Sequence, residues 1–88
     1  MITLHLHACT IGSNVPITLR WENFSFNVLL PGKTDLSALN GIVAMLDQQF
    51  QAHPVSSYDE GYFWINWAVS QQTGYTVTLK QPFQPITS

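Results

Sequence analysis

Hydrophobic and polar residues alternate along residues 2–10. Ile2, Leu4, Leu6 and Ala8 fall on one side, and Thr3, His5, His7 and Cys9 on the other. A period of two marks a half-buried strand. Gly12-Ser13-Asn14 followed by Pro16 reads as a loop. A second strand is predicted over about 17–21 and a third over about 24–30. Glu22-Asn23 makes a two-residue turn between them, with Asn23 tolerating positive φ. That turn pairs Trp21 with Phe24, Leu19 with Phe26 and Ile17 with Val28, so all six apolar side chains share one face.

Pro31-Gly32 ends the third strand, and Thr34 or Asp35 can cap a helix. From there Leu36, Leu39, Val43, Leu46 and Phe50 fall within about 80° of one another on a helical wheel, with Ile42 at the margin. Gly41 inside this helix costs roughly 1 kcal/mol relative to Ala. His53-Pro54 closes it, because the residue before a proline disfavours helical dihedrals. A polar loop over 54–61 leads to an expected long strand, Tyr62 to Gln71, with Phe63, Ile65, Trp67 and Val69 on one face. The loop Gln72-Thr73-Gly74, with Gly74 in a left-handed conformation, would pair Val69 with Val77 and Trp67 with Leu79. The tail over about 81–88 carries Pro82 and Pro85 and cannot donate fully to a ladder.

The expected order is βββαββ: an α+β fold with an antiparallel sheet of about five strands and one helix packed on one face. Its core would comprise Leu4, Leu6, Leu19, Phe26, Val28, Leu39, Val43, Leu46, Phe50, Ile65, Trp67 and Val77. Eighty-eight residues form a single domain, 1–88, which buries about 64% of its unfolded surface.

Composition narrows the partners. Five acidic and three basic residues give a net charge of −2, and only 9% of residues are charged. Arg20, Lys33 and Lys80 are too few to neutralise a run of phosphates, which argues against nucleic acid as a partner, and no polybasic segment addresses a membrane. The chain holds no apolar run of about 20 residues, and its first residues lack the pattern of a signal peptide. Cys9 stands alone, so no internal disulfide can form, and a reducing cytoplasmic setting is expected. Asn23-Phe24-Ser25 matches a glycosylation sequon, read as chance without a secretion signal.

The chemistry-bearing residues are sparse. His5, His7 and Cys9 project to one side of a strand, and imidazole and thiolate both suit Zn²⁺. The first and third lie about 13 Å apart, so a metal would need His5, His7 and a recruit such as His53 or a symmetry mate. The solvent side of a strand must carry something polar in any case, and no metal or other cofactor is expected. Ser70 to Tyr75 has the small-residue-to-glycine spacing of a helix-turn-helix turn. The alternation of Thr76-Val77-Thr78-Leu79, Pro82 and the missing basic charge argue against that reading. Asp59-Glu60 reads as an exposed acidic loop, Asp47 as a solvated helix edge, and Ser56 and Ser57 lack the surroundings of a nucleophile. No catalytic residue stands out.

The remaining signal is a sheet face without a cover. Arg20, Tyr62, Trp64, Asn66 and Lys80 are expected together on the side facing away from the helix. Exposed Tyr and Trp there call for a cover, either the C-terminal tail or a long loop folding over, or a second copy of the chain or another protein. The expectation is a small protein-interaction module, homodimeric through this face or the sheet edge, without evident catalysis. The alternatives are a small-molecule binding module on the open face or a metal-dependent enzyme centred on His5 and His7.

Overall fold

The computed structural model describes residues 1–7, 12–32 and 34–74. Its elements are β1 (Thr3–Leu6), β2 (Val15–Trp21), β3 (Phe24–Leu30), α1 (Leu36–Ala52) and α2 (Tyr58–Thr73). The described part is α+β, as the alternation implied. It contains three antiparallel strands in the order β1-β2-β3 and two helices rather than one.

The hairpin follows the period-two pattern residue for residue. Trp21 pairs with Phe24, Leu19 with Phe26 and Ile17 with Val28. Glu22, not Asn23, takes the positive φ of the turn, at 53°. β1 pairs with β2 through Leu4 with Leu19 and Leu6 with Ile17. Pro16 is accommodated in β2 because it lies opposite His7, just beyond the end of β1, where its carbonyl accepts from His7 N at 3.1 Å and only the terminal bond of the ladder goes without a donor.

Asp35 caps α1, its carboxylate accepting from Ala38 N at 2.8 Å. The buried stripe of α1 is Leu39, Ile42, Leu46 and Phe50. It is turned toward Ile42 and away from Leu36, which is 68% exposed. The second helix explains the rotation: α1 packs against α2, so it buries a flank there as well as its base against the sheet.

The expected strand 62–71 is a helix, and so the five-strand, one-helix order does not hold. Phe63, Ile65, Trp67 and Val69 have the spacing of one strand face, yet the buried set on α2 is Gly61, Ile65, Ala68 and Val69. Those positions recur at four, seven and eight residues, which is one side of a helix. Ser57 starts it by accepting from Glu60 N at 3.2 Å, and Asp59 and Glu60 lie in the first turn, where carboxylates favour the helix dipole. Gly74 does adopt the left-handed conformation, at φ 78°, but it ends this helix instead of turning a hairpin.

The two helices cover one face of the sheet. Ile17, Leu19, Phe26, Val28, Leu30, Ile42, Leu46, Phe50, Ile65 and Val69 are fully buried between them. Of the expected core, Leu4, Val43 and Trp67 are only partly buried, and Leu6 is half exposed because β1 is an edge strand. The expected strand across Val77 and Leu79, the tail 81–88, Cys9, Lys33 and Lys80 lie outside the described residues.

Candidate interaction site

The two sheet edges are finished differently. In β3 the backbone groups of Ser25 and Asn27 point away from β2, as the register requires. α2 lies along them and presents two tyrosines four residues apart. Tyr58 Oη accepts from Ser25 N at 3.3 Å. Tyr62 Oη accepts from Asn27 N at 3.2 Å and donates to Asn27 O at 3.3 Å. Burial pushes the Tyr62 phenol above its ordinary pKa, the Asn27 bond opposes this, and the neighbouring Tyr58 adds to it.

In β1 the ladder to β2 uses the odd-numbered residues, since His7 N reaches Pro16 O. Leu4 and Leu6 therefore direct their N–H and C=O groups outward. Ile2 N, one step earlier, donates to the Asp47 carboxylate of α1. No hydrogen bond to the outward groups of Leu4 and Leu6 occurs among the described residues. Leu6, on this edge, is 50% exposed, and Leu36 and Val43 share the side of α1 that carries Asp47.

No family model, curated protein or solved structure matches this chain. The sites rest on geometry alone.

The face of the sheet turned away from the two helices carries Thr3, His5, His7, Thr18, Arg20, Ser25 and Asn27, the polar set of the alternation, and also Pro16, which is fully buried. His7 Nε2 lies 2.8 Å from Thr18 Oγ1, which donates to Asn27 Oδ1 at 3.0 Å, so a polar ladder crosses all three strands. His5 packs edge-on against His7 with ring centroids 5.1 Å apart. No group of three or more His, Cys, Asp or Glu side chains is placed to hold a metal ion among the described residues.

Arg20 is exposed on this face. Tyr62, Trp64 and Asn66 are not beside it, because they stand on a helix in the other layer. Tyr62 closes the β3 edge. Trp64 is half-buried and stacks on His53, centroids 5.5 Å apart and planes within 8°. Asn66 is half-buried on α2. The alternation placed Leu6 in the core and the helical wheel placed Leu36 on the apolar stripe, and neither showed that both are exposed, nor that Phe63 is 63% open. The alternation identified β1 as a strand but carried no information on whether a neighbour lay beyond it.

Proposed function

We propose that this chain is a protein-interaction module that forms a homodimer through the edge of β1, to which no strand is paired among the described residues. The observation that carries the reading is the contrast between edges: two tyrosine hydroxyls occupy β3, while Leu4 and Leu6 of β1 offer their backbone groups outward. Two β1 edges joined antiparallel about a two-fold axis satisfy each other's donors and acceptors. The side chains of Leu6 and Leu36, 50% and 68% exposed, supply apolar area next to that seam. Thr3–Leu6 carries no Lys, Pro or carboxylate, the residues that usually guard an edge against pairing. A stable dimer needs roughly 800 Å² per partner, which the edge and the adjacent flank of α1 would share.

Leu6→Pro tests this selectively. It deletes an outward donor and leaves every β1–β2 ladder bond intact, because Leu6 does not donate to β2. Sedimentation across micromolar concentrations should give a dimer for the wild type and a monomer for Leu6→Pro and for Leu36→Lys, with circular dichroism unchanged. A wild type that stays monomeric throughout sinks the proposal.

A further inference from the structure

We propose that the solvent-facing stripe of α2 is a second binding site, and that it takes a cationic segment of another protein, with Arg or Lys set among apolar side chains. The stripe is aromatic. Phe63 and Trp67 are four residues apart and Trp64 is three before Trp67, so their rings lie along one side of the helix, away from Gly61, Ile65 and Ala68. Phe63 meets Trp64 at 5.3 Å and 82°, and Trp64 meets Trp67 at 5.6 Å and 89°. His53 stacks flat on Trp64 and fixes it against the end of α1. Phe63 is 63% exposed, while Trp64 and Trp67 rest partly on the core and leave the remainder of their rings open. Perpendicular aromatic rings held by packing offer both faces and edges to a ligand at little cost in side-chain entropy.

Charge selects the ligand. Asp59 and Glu60 precede the stripe by one helical turn, Asp59 below Phe63 and Glu60 below Trp64. Glu60 is held in place by Ser56 Oγ at 3.2 Å, and Asp59 is exposed. No Lys or Arg occurs between Thr34 and Gly74, and the one described cation, Arg20, is on the open face of the sheet. A guanidinium or ammonium group is drawn to the carboxylates and to the ring faces together, whereas a phosphate backbone is repelled. The site is remote from the proposed dimer seam: α2 borders β3 and the seam follows β1, at the opposite edge of the sheet. Both can be occupied at once.

The test uses two synthetic amphipathic peptides, one of Leu, Lys and Arg and one with Glu in place of every cation. Tryptophan emission reports binding, since Trp21 is buried and Trp64 and Trp67 are half-buried beside exposed Phe63. The cationic peptide should shift the emission and bind more weakly as salt is raised. Phe63→Lys should weaken it about tenfold, and Asp59→Asn by a smaller factor, with helix content and sedimentation behaviour unchanged. Equal binding of the acidic peptide overturns the proposal. So does a folded Phe63→Lys variant that binds the cationic peptide as tightly as the wild type.

Discussion

The ring of Phe26 lies directly on the backbone of Gly61: a β-carbon at Gly61 would stand 2.2 Å from Phe26 Cζ. Phe26 is fully buried, with Phe24, Phe50, Tyr58 and Tyr62 around it at centroid distances of 5.1 to 6.3 Å. It has nowhere to move. Gly61→Ala should therefore destabilise by about 1–3 kcal/mol, even though Ala is the better helix former. Gly41 is the control. The nearest atoms a β-carbon would meet there belong to the side chain of Gln72, which is exposed and can swing away. Gly41→Ala should stabilise by about 0.5–1 kcal/mol. Denaturant unfolding of both variants checks the pair, and two changes of the same sign would contradict the packing described.

The cap of α2 yields a second prediction. Ser57→Ala removes the acceptor for Glu60 N and should cost about 1 kcal/mol, with loss of helical ellipticity as the first turn frays. A strand over 62–71 would be indifferent to this change, so the ellipticity also tests the assignment of the element.

That element marks where the sequence stopped being legible. In the hairpin only one register puts Trp21, Leu19, Ile17, Phe24, Phe26 and Val28 on a single face, and the structure adopts it. In α2 bulky residues occupy every side: Tyr62 faces β3, Trp64 faces His53, Phe63 faces solvent and Ile65 faces the core. Hydrophobicity then has no clear period. The side that is buried includes Gly61 and Ala68, small residues that contribute little to an apolar count and are chosen for close approach. The deciding signals were at the ends. Ser57 with Glu60 three residues on, and Gly74 after the last turn, are a start and a stop for a helix. The polar face of the sheet was legible for the same reason as the hairpin. The grouping of Tyr62, Trp64 and Asn66 with Arg20 failed with the strand that was to carry them.

Tyr62 links stability to alkaline pH. Its pKa is raised in the folded protein, chiefly by burial, so the folded state holds the phenolic proton more tightly than the unfolded chain does. This contribution is complete below the unfolded value near pH 10 and is lost as pH rises through the raised value. Tyr62→Phe abolishes it, and also leaves Asn27 N and O to water, at about 1 kcal/mol. The stability gap between wild type and variant should thus be largest at pH 8 and narrow above pH 10. Urea unfolding at pH 8, 10 and 11 measures it, and a gap that stays constant would mean that the hydroxyl does not report burial.

The histidines of β1 allow a direct test with zinc. A metal held by His5 and His7 needs a ring nitrogen from each, and His7 Nε2 is engaged with Thr18 Oγ1 at 2.8 Å. Binding would break the polar ladder that runs on to Asn27, and the two imidazoles are packed edge to face instead of aimed at a common point. A ligand present at a hundred times its dissociation constant adds about 2.7 kcal/mol to stability. For a domain of this size that corresponds to a rise of roughly 10 °C or more in the unfolding midpoint. Zinc at micromolar excess should move the midpoint of the wild type by less than about 1 °C, well inside that bound. A rise of several degrees that disappears in a His5→Ala, His7→Ala double variant would show that the ladder yields to the metal, and would return these two residues to the centre of the molecule's chemistry.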